Sequence, residues 1–503
     1  MVPLRTALFL VFAALLVFSG TLQAPFHLDD YSFALAPPIG VDGPWTAAFS
    51  PTQTRPIPWL TYWLNWHLSR EPFGFHLVNW LLHGACVFLA WFALRSLLPE
   101  KAALIACSLF ALHPIQTQAV AYIFARPALL FTLFCLLSLW LWLRDRRAWA
   151  IAAYACALLS KEEAVAFPML LLLLHIAQKR EKKERPAIAA MFSLALAAGL
   201  RSTWATAVIA GSGAGVQSTI TPFAYLSAQG LVILRYLWQL FLPIDFTIEP
   251  ALKVESPLLA SAAWGVIAAV LSLAARRFMG AKEGFWLIAG FVLLLPSSSI
   301  FPADDLAADR RMYFPLVAFA AAAGLILRGA HRYLLAAIAI VLSVLSFAQV
   351  RTWQSEKSLW MEAARLAPDH VRPKRQLART LPPEQALPLL EDAKRLAPDD
   401  PRVAADLGRL YLQMGRFSDA LAEFGRALAL EPNSPTALNN RGVALLLLGQ
   451  RDAAIADFHR ALARDPCLFD AYLNLTRASA PLTPPPACPW STDQRASLPQ
   501  QRD

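Results

Sequence analysis

PRVAADLGRLYLQMGRFSDALAEFGRALALEPNS (401–434) runs directly into PTALNNRGVALLLLGQRDAAIADFHRALARDPCL (435–468), and the two align at an offset of 34 residues. Gly408 falls on Gly442, Gly415 on Gly449, Ala420 on Ala454, Phe424 on Phe458, Ala427 on Ala461 and Pro432 on Pro466. Small residues at fixed places let paired helices touch, and a proline closes each unit. A period of this length marks stacked helix pairs, each unable to bury its apolar face alone.

The pattern fades on either side. A weaker unit covers roughly 370–400, after a helix ending EAARLAPD, and FDAYLNLTRASA (469–480) can cap the stack. Together these predict a tetratricopeptide α-solenoid over 351–480, a fold that offers a groove to peptides or proteins. From 481 the chain is rich in proline and reads as a disordered tail, 481–503. Cys467 and Cys488 can pair if this end lies outside the cytoplasm; the sequence leaves that open.

Before residue 351 the composition changes. The chain of 503 residues is 57% hydrophobic and only 16% charged, with mean hydropathy +0.45, whereas soluble domains carry about 25% charged residues. The 45 Lys and Arg exceed the 35 Asp and Glu, and most of the excess lies in residues 1–350, with 25 basic against 17 acidic. In so apolar a segment this excess reads as topology and lipid contact. Nucleic-acid binding would need a basic soluble face with aromatics among the charges, and none is present.

Apolar runs recur at about 6–23, 76–94, 102–123, 127–143, 187–209, 257–275, 284–296, 312–327 and 333–350. Two shorter runs, 148–160 and 164–177, flank SKEEAV and read either as tilted spans or as a re-entrant pair. Basic residues fall on one side of the membrane if the run near 225–243, which contains Arg235, lies along the surface. The expectation is an all-α bundle of nine to eleven spans, with an inside N-terminus and the repeats outside.

That topology places HLDDYS (27–32), HPIQTQAVAYIFARP (113–127), SKEEA (160–164) and PADDLAADRRMYFP (302–315) on the outer side. Ionisable groups at such places are costly unless paired or hydrated, which makes them functional candidates. Asp29 and Asp30 read as a solvated helix end, as metal ligands lacking partners at fixed spacing, or as a general base with an orienting neighbour. Trp59, Trp63 and Trp66 share one face of a helix over 55–69, suited to the headgroup layer or to ordinary packing. His76, Asn79 and His83 share a stripe of the second span and read either as lining a hydrophilic cavity or as interhelical hydrogen bonds.

The series DDY, RPI, H..N…H, LHPIQTQAV…AR, LLSKEEAV and ADRRMYFPL, leading into the repeats, resembles the transmembrane and tetratricopeptide-repeat O-mannosyltransferase-like proteins and their bacterial relatives. The resemblance covers nearly the whole chain in matching order. It implies a GT-C glycosyltransferase fold with an acidic motif in the first external loop. It also implies a polyprenyl-phosphate-linked sugar donor and a hydroxyl acceptor outside the cytoplasm. Asp29 or Asp30 would be the base. Arg126, Lys161, Arg310 or Arg311, and Tyr313 would hold the donor phosphate, because negative charge grows on the leaving group as the glycosidic bond breaks. His76, Asn79, His83, His113 and Gln118 would line the pocket. Gln118 stands where relatives commonly carry an acid, and it cannot ionise.

The reading is an integral inner-membrane glycosyltransferase with domains 1–350 and 351–480. It would invert the sugar it transfers, and its repeats would hold a protein or glycan acceptor. No cofactor beyond the lipid-linked sugar is called for, and nothing in the ligand spacing supports a divalent metal. The rival reading is a non-catalytic membrane scaffold whose repeats do the work. A transporter would instead carry charges near mid-membrane and an internal repeat between bundle halves.

Overall fold

Proline sets the start of helix after helix in this chain, because its fixed φ suits the first helical turn, where an N–H has no partner anyway. Pro56, Pro72, Pro127, Pro168, Pro186, Pro222 and Pro315 all stand there. The computed structural model describes residues 2–31, 53–180, 182–209, 218, 220–252, 257–280, 282–303, 305–480 and 488. The described residues form helices and connecting turns, with no strand. The proposed tail at 481–503 lies outside them except for Cys488, as do Ser32 and Asp304 of the quoted motifs.

The chain divides into two units, Met1–Leu359 and Trp360–Asp503. The division falls nine residues beyond the boundary read from hydropathy, because Trp353 and Leu359 are buried against Ala121, Tyr122 and Ala125 of the first unit.

Every apolar run of the first unit is helical. Five helices are long and apolar enough to cross a bilayer: Pro72–Leu94, Ile123–Trp142, Lys182–Val208, Pro257–Ala275 and Arg332–Thr352. The run read as 102–123 is broken instead. Glu100–Leu112 and Pro114–Ala121 meet at a 48° bend, where Pro114 lacks an N–H and drives His113 out of helical geometry. The bend supplies a sixth possible span. The remaining runs are shorter helices, among them Val2–Val17, Arg147–Leu158, Phe167–Ala177, Glu283–Leu294 and Pro315–Leu327. At about 1.5 Å per residue none of these covers a hydrocarbon layer of about 30 Å alone, so among the described residues five or six of the expected nine to eleven spans are long enough to cross by themselves. The chain is a multi-pass membrane protein by these helices.

Packing between spans relies on small residues. A Cβ on Gly324 would lie 2.3 Å from the Ala102 carbonyl oxygen, so Pro315–Leu327 approaches Glu100–Leu112 at backbone distance. Pro222–Phe241, read as lying on the surface, buries Tyr225, Gln229, Val232, Tyr236 and Gln239, a single helical stripe.

In the second unit the repeat positions explain themselves. Gly408 and Gly442 face the rings of Phe424 and Phe458, and an added Cβ would sit at 2.7 and 2.5 Å. Gly415 and Gly449 take φ of +72° and +78°, the left-handed turn that glycine adopts without strain between paired helices. The weaker unit is a helix pair, Val371–Ala378 and Pro383–Leu396. Phe469–Arg477 packs its Ala471, Tyr472 and Leu475 onto the last full repeat. Cys467 and Cys488 are joined, with Cα atoms 5.4 Å apart.

Candidate active site

The two adjacent aspartates lie on a single turn of 3₁₀ helix, Leu28–Asp30, and point in opposite directions. Asp30 points inward and is fully buried. Its Oδ2 accepts the backbone N–H of His27 at 3.1 Å and its Oδ1 that of Phe124 at 2.8 Å. The carboxyl thus ties the first loop to the turn preceding Arg126. Burial pushes its pKa up to about 8, despite the two backbone donors. Asp29 points outward, exposed, and its Oδ2 accepts the Tyr122 hydroxyl at 2.8 Å. Leu28 before it holds φ +51°, a left-handed conformation that a leucine rarely adopts, and this places local strain beside the carboxylate.

Tyr122 connects Asp29 to a cation. The Arg310 guanidinium carbon lies 5.9 Å from the centre of the Tyr122 ring. Arg310 is half-buried and pairs with Asp305 at 3.6 Å. Its backbone N–H donates to Gln118 Oε1 at 2.7 Å. Gln118 therefore fixes the backbone of the arginine. That task needs an acceptor oxygen and no ionisation. His27 closes the other side: its Nε2 lies 2.7 Å from the Trp353 carbonyl oxygen, and Tyr122 packs on Trp353 at 6.0 Å between ring centres.

A second charged group surrounds SKEEA. Lys161 pairs with Glu163, and Glu162 takes the Arg55 guanidinium, with Nε at 2.9 Å from Oε2. Burial raises the Glu162 carboxyl, but Arg55 and Lys161 outweigh it and hold it at about 2. Burial pushes the Lys161 ammonium down, against the pull of Glu163. Arg311 donates to the Tyr225 hydroxyl at 3.2 Å and to the carbonyls of Leu306 and Asp305 at 3.0 and 2.8 Å. Its charge lies within electrostatic reach of Glu163 and Asp305.

The remaining expected site residues lie deeper in the bundle. Arg126, read as a phosphate ligand, is completely buried. It donates to Asn79 Oδ1 at 2.8 Å, Thr61 Oγ1 at 3.2 Å, Asn65 Oδ1 at 2.9 Å and the Phe75 carbonyl at 3.0 Å. The Tyr62 ring lies 4.5 Å below it. Its donors are spent on stitching helices Pro56–Leu68, Pro72–Leu94 and Arg126–Trp142 together. Tyr313, also read as a phosphate donor, is buried with its hydroxyl 2.7 Å from His83 Nδ1. His76 reaches the Pro25 carbonyl at 3.4 Å, and Asn79 donates to the Tyr122 carbonyl at 3.2 Å. His113 Nδ1 accepts the Ile115 N–H at 3.2 Å. Each of these rings or amides meets a backbone or hydroxyl partner inside the bundle, His113 locally and the others across to another segment. Trp59 and Trp66 likewise pack on Phe26, Tyr62, Phe75 and Ile123, so the tryptophan stripe is at least partly core.

Sequence reasoning did not single out Tyr122, Arg55, Glu162 or Glu163. Tyr122 sits within the quoted HPIQTQAVAYIFARP motif, but a tyrosine at the end of an apolar run also reads as an interface aromatic. Among the described residues no three His, Cys, Asp or Glu side chains converge as metal ligands would.

Comparison with known proteins agrees with the two-part architecture. The tetratricopeptide repeat family model matches residues 405–466. The chain is 24% identical over 446 residues to the human protein O-mannosyl-transferase TMTC3, covering 75% of this chain and 48% of that protein. It is 23% identical over 424 residues to a protein O-mannosyl-transferase of Caenorhabditis elegans, covering 75% and 60%. A stretch of 100 residues is 41% identical to mouse protein O-mannosyl-transferase TMTC4, covering 17% of this chain and 14% of that one. Homology to this group thus extends over three quarters of the chain, which spans about half to three fifths of the length of the first two relatives. Among solved structures, an Archaeoglobus fulgidus oligosaccharyltransferase aligns with a TM-score of 0.37 at 12% identity, covering 73% of this chain and 57% of that one.

Proposed function

We propose that this chain is a membrane glycosyltransferase of GT-C type. It moves a sugar from a polyprenyl phosphate to a hydroxyl of a protein or glycan on the non-cytoplasmic side of the inner membrane. The curated relatives' names point to a mannosyl group and a protein acceptor. The observation that carries the reading is the arrangement of an exposed carboxylate, a phenol and a guanidinium at Asp29, Tyr122 and Arg310.

In this scheme Asp29 is the base. It takes the proton of the acceptor hydroxyl as the oxygen attacks the anomeric carbon from the face opposite the phosphate, so that one displacement inverts the centre. Tyr122 positions the Asp29 carboxylate through its hydroxyl. Asp30, buried and held by two backbone amides, anchors the loop from beneath and does not touch substrate. Arg310, paired with Asp305 at 3.6 Å, meets the negative charge that develops on the leaving phosphate, with Lys161 and Arg311 adding positive potential. The repeats hold the acceptor.

The test incubates the purified chain with a panel of radiolabelled polyprenyl-phosphate sugars and hydroxyl acceptors. Transfer that disappears in Asp29→Asn and falls in Arg310→Gln supports the scheme. Transfer unchanged in Asp29→Asn overturns it. A wild-type chain inactive with every donor, whose cellular role survives Asp29→Asn but not changes in the repeat groove, favours the scaffold.

A further inference from the structure

The repeat unit holds a pocket of about 200 Å³ whose wall is built from the first helices of three successive pairs. Its chemistry is uneven. Asp406 is buried at the centre and gathers three arginines. Its Oδ2 accepts Arg375 Nε at 2.7 Å, and its Oδ1 accepts terminal nitrogens of Arg379 and Arg409 at 2.9 and 2.8 Å. Arg402, also on the wall, is matched by Asp400 through two contacts of 3.0 Å. Glu431 lies exposed at the rim. Even with Glu431 counted, the pocket keeps a net positive charge.

Donor capacity points the same way. Three guanidinium groups bring about fifteen N–H donors, whereas one carboxylate offers about four acceptor sites. Asp406 therefore orients the arginines without saturating them. Burial, reinforced by the neighbouring arginines, holds both Arg375 and Arg409 below the usual guanidinium range, as expected where cations crowd around too few anions.

Repeat architecture does not require this cluster. The periodic positions are glycine, alanine and phenylalanine, and they do the packing. One period on, Asp406 and Arg409 are replaced by Asn440 and Val443, so the charged group belongs to one place in the stack. Three cations held ready around one acid form a carboxylate-recognition device, because guanidinium geometry matches a carboxylate in bidentate fashion. Walls drawn from three consecutive pairs make the pocket follow the stack, which suits an extended chain better than a compact anion.

We infer that the pocket between Arg375, Arg379 and Arg409 binds an acidic stretch of polypeptide, and so selects protein acceptors carrying Asp or Glu near the modified hydroxyl. The link to acceptors rests on the transferase reading; the binding itself does not, and the test separates the two by measuring binding without turnover.

The full-length chain in detergent would be titrated into a fluorescent Glu- and Asp-rich peptide and into its Gln- and Asn-matched counterpart, with anisotropy as the readout. The acidic peptide should bind at least about tenfold more tightly, and the preference should shrink as salt rises. Arg379→Gln with Arg409→Gln should abolish the preference, and the paired Arg→Lys variant should restore part of it. Arg416→Gln, in the turn before helix Phe417–Leu430, paired with Asp419 and outside the pocket lining, should change nothing. An unchanged thermal unfolding midpoint would show that the double glutamine variant is folded. Equal binding of the two peptides, or a preference that survives the double variant, overturns the inference. Displacement of the peptide by millimolar inorganic phosphate or by anionic-lipid vesicles as effectively as by unlabelled peptide would overturn it in favour of a general anion site.

Discussion

Two polar regions of the membrane unit use the same residue types to opposite ends. Around Arg126 a guanidinium, asparagines and a threonine are gathered inside the bundle, and the arginine donates four hydrogen bonds to neutral acceptors. Around Asp29 an exposed carboxylate, the Tyr122 hydroxyl and the half-buried Arg310 meet nearer the surface. A buried polar network suits a structural role and an exposed one can be reached by a substrate, because a side chain enclosed among its partners has little to offer another molecule. The difference lies in burial, not in residue identity.

The sharpest way to break this comparison is to exchange the fates of the two regions. Replacing Arg126 by methionine orphans acceptors on two helices and should destabilise the fold by about 3–5 kcal/mol, read as a large drop in the unfolding midpoint in detergent or as failure to accumulate. Asp29→Asn should leave that midpoint unchanged while reducing sugar transfer by about 10²–10⁴-fold. A reversal of these two results would mean that the regions have been assigned the wrong way round. Tyr122→Phe removes only the hydroxyl that positions Asp29, and transfer should fall by about tenfold, as about 1.4 kcal/mol implies, without loss of donor binding.

The pH dependence of stability tests Asp30. Its carboxyl titrates near 8 in the fold and near 3.8 when unfolded. The folded state therefore holds the proton more tightly, and the stability from this group is complete below about pH 4 and is lost as pH rises toward 8. The unfolding midpoint of the wild type should decline over that window, and Asp30→Asn should flatten the decline. A wild-type midpoint that rises across the window would show that Asp30 is ionised in the fold.

Asp29 and Asp30 show how far sequence reading reaches. The DD pair and its place just beyond the first apolar run were legible from hydropathy. Which aspartate faces out was not, since it depends on a 3₁₀ turn and on the Phe124 amide, 94 residues away in the chain. Arg126 and Arg310 pose the same problem. Both stand beside helix starts in distinctive motifs, yet one is sealed by Asn65, Thr61 and Asn79 while the other is held at the mouth by Gln118. The broken run at His113–Pro114 could be read from proline chemistry; the hydropathy profile alone passed over it.

The amino-acid sequence by itself determined the helical class, the division into an apolar bundle and a 34-residue repeat array, and the residue types available for chemistry. Periodicity, proline placement and glycine are local properties, and solvent enforces them along the chain without reference to distant partners. Only the tertiary structure decided which polar groups are spent and which are available: Asp30 and Arg126 inside, Asp29 and Arg310 outside, and three arginines around Asp406. That choice rests on hydrogen bonds between residues far apart in the chain and on the desolvation each suffers, and neither exists until the helices have packed.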